Sequence, residues 1–150
     1  MGQVSRKELN MSPLLQTNLT DVDPSGPPQL AAQYYPALTI RKASVGRDDA
    51  KGYLWLDVSL VDGNEQVPGM HSERFFISAD PQENWKLKRL LIACGKDDLA
   101  QADEWDPDDL TGASFRGIIT MRSYTKDGET KEATKLAKIL LAEDPDPATV

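Results

Sequence analysis

Cysteine and histidine each occur once, as Cys94 and His71. A lone cysteine excludes an internal disulfide and any cysteine-cluster metal site, and a lone histidine excludes a histidine-rich zinc site. Long apolar runs are missing: nothing approaches the roughly 20 residues that a membrane-spanning helix needs, so no membrane association is expected. The N-terminus has no apolar core of the kind a secretory signal requires, and a cytoplasmic location is expected. There is no glycine-rich phosphate loop and no internal repeat; the ten glycines are scattered at turns. Bases are the scarcer charge, 17 against 24 acids, for a net charge of −7.

The acids are not spread evenly. Residues 97–109 carry seven acids and no base, the end 142–150 carries Glu143, Asp144 and Asp146, and the segment 1–33 carries two bases and three acids. What is left is a mildly basic body of net +4. For a nucleic-acid partner this distribution matters more than the sum. The run Asp103-Glu-Trp-Asp-Pro-Asp-Asp109 crowds carboxylates of the type hard cations favour. Its spacing follows no calcium-loop pattern, however, and no catalytic lysine or histidine motif lies near it. No metal, cofactor or catalytic residue is expected, and the chain reads as non-enzymatic. Cys94 sits on an apolar helical stripe, where a small core residue is the ordinary reading, and His71 reads as a turn or surface histidine.

Length suits one domain. Residues 1–33 read as an extended or flexible N-terminal arm, because Asp21-Val-Asp-Pro-Ser-Gly-Pro-Pro28 is incompatible with helix or strand. The domain spans 34–141 and an acidic C-terminal tail spans 142–150. A first strand covers Tyr34 to Val45, with Leu38 and Ile40 on one side. The organising stretch is Gly52-Tyr-Leu-Trp-Leu-Asp-Val-Ser-Leu-Val61. Leu54, Leu56, Val58 and Leu60 form a core face, while Tyr53, Trp55, Asp57 and Ser59 point the other way. Asp62-Gly63 predicts a tight hairpin into a third strand, broken at Pro68-Gly69 and resuming over 72–78 with Arg74 and Phe76 on the outer side.

Asp80-Pro81, with Glu83 three residues after the cap, opens a helix. Leu87, Leu90, Leu91 and Cys94 make its buried stripe, and Gly95 ends it. Trp85 reads as an anchor of that helix, and Trp105 as a ring tucked back onto the body. A fourth strand runs from Ser114 to about Tyr124, and Lys126-Asp-Gly-Glu129 turns the chain. Residues 131–141 suit either helix or strand; the turn before them favours a fifth strand.

Three strands, a helix and two strands is the element order of the OB-fold, a five-stranded Greek-key barrel with a helix between strands 3 and 4. The class expected is therefore all-β with one helix. The ligand face of that fold lies on strands 2 and 3, where this chain carries Tyr53, Trp55, Arg74 and Phe76. Bases of a single strand stack on such rings whatever their identity, and Arg41, Lys51, Arg116 and Arg122 are placed to track phosphates. The expected partner is single-stranded DNA, bound with little sequence preference. A homo-oligomer is expected because one such sheet covers few nucleotides. The alternative is an OB-type protein-interaction module whose Tyr53 and Trp55 are buried in an interface.

Residues of about 34–141 also resemble a family of small phage-encoded single-stranded-DNA-binding proteins. The likeness rests on Gly52-Tyr53-Leu54-x-Leu56-x-Val58 before Asp62-Gly63 and on Trp85 and Leu90 ahead of Ala93-Cys94-Gly95. Asp109-Leu110-Thr111-Gly112 leading into Phe115 completes it. The resemblance implies an OB-type fold, a role in viral DNA replication or recombination in the host cytoplasm, and no catalytic residue. The acidic end, Glu143 to Val150, is similar to the tails with which single-strand binders recruit replication or recombination proteins. It lacks the terminal Asp-Phe of the bacterial ones.

Overall fold

The computed structural model describes residues 14–21 and 28–147. Strands β1 (Tyr34–Asp48), β2 (Tyr53–Asp62), β3 (His71–Phe76), β4 (Ser114–Lys126) and β5 (Glu129–Leu140) form one antiparallel sheet in the order β3-β2-β1-β4-β5. A short helix of nine residues, α1 (Trp85–Ala93), follows β3, and a five-residue helix, α2 (Asp97–Gln101), follows it. The fold is thus mostly β, as expected. The ambiguous stretch is strand, paired with β4 from Lys126↔Glu129 to Arg116↔Leu140.

The alternation in β2 decides which face is inside. Leu56, Val58 and Leu60 are at most 2% exposed, and their neighbours Ala43 and Phe75 on the flanking strands are buried with them. Leu38, Ile40, Phe115, Ile119, Leu136 and Ile139 extend that face. Leu90, Leu91, Leu99 and Leu110, from α1 and the turns after it, complete the core. Asp80 caps the approach to α1 by accepting from the Gln82 N–H at 3.1 Å, with Pro81 next in line; the first turn is 3₁₀, and the α-helix begins only at Trp85. Trp105 packs against the core from the acidic segment. Burial pushes the Cys94 thiol up to about 12, in keeping with a packing role.

Several expectations need correction. Asp62-Gly63 does open a turn, with Glu65 N–H donating to the Asp62 carbonyl at 3.0 Å, and β2 and β3 do pair antiparallel, but the third strand does not begin directly after it. The buried Asp62 carboxylate accepts from the backbone N–H groups of Asn64, Gln66 and Val67 at 3.0 Å each, holding a longer loop that runs to Met70. Sequence suggested a tight turn because the carboxylate's three local bonds are invisible to dipeptide rules. His71 is not at the surface; it is 4% exposed at the start of β3. Trp85 anchors nothing, being 66% exposed. The arm does not extend to residue 33: Leu30 is 1% exposed in the core, and Leu30 N–H donates to the Met70 carbonyl. Gly69 lets this happen. Its φ of +109° suits glycine, and a Cβ there would lie 2.8 Å from the carbonyl oxygens of Pro28 and Gln29. Residues 1–13 and 22–27 of the expected arm lie outside the described residues.

A closed barrel is not formed by backbone pairing among the described residues. The outer strands β3 and β5 meet through side chains instead. His71 Nδ1 lies 2.6 Å from Thr134 Oγ1, and its Nε2 lies 2.7 Å from Glu73 Oε1. Glu73 also accepts from Leu136 N–H at 3.3 Å and from Lys86 Nζ at 3.1 Å. Gln29 adds a bridge, its side-chain oxygen accepting from Thr134 N–H at 2.8 Å.

Candidate nucleic-acid interface

Tyr53, Trp55, Arg74 and Phe76 do come together, on the outer face of β2 and β3. Register places Trp55 opposite Phe76 and Asp57 opposite Arg74. The Phe76 ring stands edge-on between the other two, its centroid 5.9 Å from Tyr53 and 6.0 Å from Trp55. Tyr53 and Phe76 are 52% and 59% exposed, each leaving much of its ring open among the described residues.

Trp55 is different. It is half-buried, and it lies across Gly46 of β1, its cross-strand partner: a Cβ at position 46 would sit 2.3 Å from the indole nitrogen. The Arg74 guanidinium lies over the ring at 4.2 Å from its centroid. Asp57 fixes that guanidinium with two bonds, Nε at 2.8 Å and Nη2 at 3.1 Å, a fork-on-carboxylate geometry that also raises the Arg74 pKa. Trp55 is therefore the floor under Arg74 rather than an open platform, and Arg74 is positioned flat beside the exposed rings.

The remaining expected contacts are scattered. Lys51 is exposed in the turn just before Tyr53. Arg41 is exposed at the irregularity in β1, where register shifts between Ile40 and Lys42. Arg116 is not available in the way its sequence position suggested. Its guanidinium is held by Asp146 at 2.5 Å, by the Asp144 carbonyl at 2.8 Å and by the Leu141 carbonyl. The last segment is no free tail as far as it is described. Asp144 takes Arg89 at 2.7 Å and Asp146 takes the Tyr34 hydroxyl at 2.8 Å.

Arg122 belongs to a second basic surface. Beyond Thr120 β4 runs exposed, as does β5 from Glu129 to Glu132, and the register puts Arg122 beside Ala133, Tyr124 beside Lys131 and Lys126 beside Glu129 on one side. Lys135, opposite Thr120, continues that side. Arg122 lies 5.7 Å from the Tyr124 ring centroid. Lys126, Lys131, Lys135 and Tyr124 were missed from sequence. The signal was there, Arg122, Tyr124 and Lys126 at every second position and Lys131 and Lys135 on one side of the expected fifth strand, but joining the two runs required the β4–β5 register. Among the described residues no group of three or more His, Cys, Asp or Glu side chains is placed to hold a metal ion. No helix among them is long and apolar enough to cross a membrane. Compared with known proteins, the chain matches neither a family model nor a curated sequence.

Proposed function

We propose that the protein is an OB-type single-stranded-DNA-binding protein, serving viral DNA replication or recombination as the resemblance implies. The observation that carries this reading is the pair of open rings, Tyr53 and Phe76, beside the fixed Arg74 guanidinium on an outer sheet face. Strand order β3-β2-β1-β4-β5, with β3 and β5 bridged by His71, Glu73 and Gln29, supports the OB-type arrangement. Bases stack on Tyr53 and Phe76, each contact contributing about 1–3 kcal/mol. Phosphates lie along Arg74, Lys51 and the exposed side of the β4–β5 hairpin. Stacking reads a π-face common to all bases, so sequence preference is slight.

The test is a titration of oligo-dT at two salt concentrations with a duplex control, followed by intrinsic tryptophan emission. Binding is expected to be tighter to dT than to duplex and to weaken with salt. Tyr53→Ala and Phe76→Ala each weaken it by about 1–3 kcal/mol, with unchanged thermal stability. No dT binding at low salt, together with capture of a replication or recombination protein by the same face, transfers the site to the protein-interaction reading.

A further inference from the structure

Among the described residues two apolar surfaces are left uncovered besides the Tyr53–Phe76 pair. One is a segment. Leu14, Leu15 and Leu19 are 91%, 88% and 67% exposed, and the residues from 14 to 20 include no charged side chain. The other is a groove of about 720 Å³ between α1, β5 and the returning C-terminal segment. Trp85, Ile118, Leu140, Pro145 and Pro147 are among its walls. Trp85, at 66% exposure, stands open beside it.

The rim chemistry argues against an anionic occupant. Of the three lining bases, Lys86 is already held by Glu73 and Arg89 by Asp144, while Lys138 is exposed, and the groove also presents Asp144 and Asp146 themselves. A phosphate backbone would meet two carboxylates and two paired bases there, with Lys138 alone to draw it in. An uncharged leucine-bearing strand would meet apolar walls. Monomeric proteins seldom leave three neighbouring leucines in water, and such exposure marks an interaction surface. Seven residue steps separate Asp21 from Pro28, a reach of about 25 Å at full extension. Pro28 and Gln29 are themselves fixed beside Met70 and Thr134, the latter three residues before the groove's Ala137. The arm thus departs close to the groove with chain to spare, yet among the described residues Leu14 and Leu15 stay almost fully exposed and Leu19 two-thirds exposed.

We propose that the protein is an arm-exchanged dimer, in which Leu14, Leu15 and Leu19 of one chain seat in the Trp85–Ile118–Leu140 groove of a second copy. Exchange is reciprocal about a two-fold axis, so each groove is filled and each arm covered. The groove adjoins the aromatic face through Trp85, which also lines a smaller pocket with Arg74 and Phe76, but the dimer does not require Tyr53 or Phe76 to bind DNA.

Sedimentation velocity of the full chain across a concentration range, read alongside tryptophan emission with Trp85→Phe as the control, tests this. The expected result is a reversible dimer in the native chain. A Leu14→Ala/Leu15→Ala/Leu19→Ala variant, whose changes touch no core residue, should raise the dimer dissociation constant at least about tenfold. It should also red-shift the Trp85 emission on dissociation while leaving circular dichroism unchanged. Ile118→Glu should have the same effect from the groove side. A monomeric native chain with Trp85 emission insensitive to the arm variant overturns the proposal. So does a monomer whose Trp85 emission shifts with the variant, because the arm would then cover its own groove. A dimer that persists unchanged in both variants overturns it too.

Discussion

At the scale of single residues, Glu73 carries the most consequential chemistry outside the proposed site. Burial pushes its pKa up, but the hydrogen bonds and charges of His71 and Lys86 outweigh burial and leave it below the ordinary glutamate value. A carboxyl lowered on folding stabilises the protein fully above its unfolded pKa. That contribution is lost as pH falls through the lower folded value. Stability should therefore be steady through neutral pH and decline on acidification below about pH 4. Glu73→Gln should cost about 1–3 kcal/mol at pH 7, because Lys86, His71 and the Leu136 N–H lose a charged acceptor at the β3–β5 seam. Urea unfolding at pH 7 and at pH 3.5 checks both statements: the gap between native and variant must shrink at the lower pH. None of this was legible in the sequence, where His71 and Glu73 read as ordinary positions beside a strand break. Their partners Thr134 and Leu136 are more than sixty residues away. By contrast Leu56, Val58 and Leu60 declared their buried side outright, since strand alternation is a local property.

Elements show the same division between what neighbours in sequence decide and what pairing decides. The β2 alternation, the Asp80 cap ahead of α1 and the glycine stop at Gly95 follow from short-range rules; the first strand, expected to end at Val45, runs on to Asp48, and the α-helix expected from Asp80-Pro81 begins only at Trp85. The outer faces depend on register. Only when β3 is laid on β2 does Arg74 fall over Trp55, and only when β5 is laid on β4 do Lys131 and Lys135 join Arg122 and Tyr124. Beyond Thr120 the hairpin is exposed along β4 and, on β5, from Glu129 to Glu132, so the core holds it only through Ala133 and Thr134 at its base. It is a basic ribbon available to a phosphate backbone. Changing Arg122, Lys126, Lys131 and Lys135 together to glutamine should flatten the salt dependence of oligo-dT binding by a slope of about 3, from about 0.7 per lost cation on a single strand. The melting temperature should hardly move, since exposed substitutions of this kind stay within about 0.5 kcal/mol each. An unchanged slope removes the ribbon from the binding path while leaving Tyr53 and Phe76 in it.

Over the whole molecule, charge is sorted by place. The described part of the acidic end is folded back as a strap that joins three distant parts of the fold: Tyr34 at the start of β1, Arg89 on α1 and Arg116 on β4. The carboxylates are held accordingly. The Leu141 N–H and Arg89 keep Asp144 below the usual carboxylate range, and the Tyr34 hydroxyl and Arg116 do the same for Asp146. Groups lowered on folding hold the strap above their unfolded pKa and release it as pH drops through the folded value. The Arg116 guanidinium is spent on this closure, although its alternating position in β4 made it look like a phosphate contact. Arg116→Ala should therefore leave oligo-dT affinity within about twofold, below the effect of losing one stacked base. The same change should speed amide exchange at Leu141 and Asp144, whose N–H groups bond within the strap. Hydrogen-exchange mass spectrometry on native and variant chains at pH 7, paired with the dT titration, reads both. A large loss of dT affinity with unaltered exchange would return Arg116 to the DNA path. Faster exchange with intact affinity instead assigns it to holding the chain's end against the body, separate from the face that carries Tyr53 and Phe76.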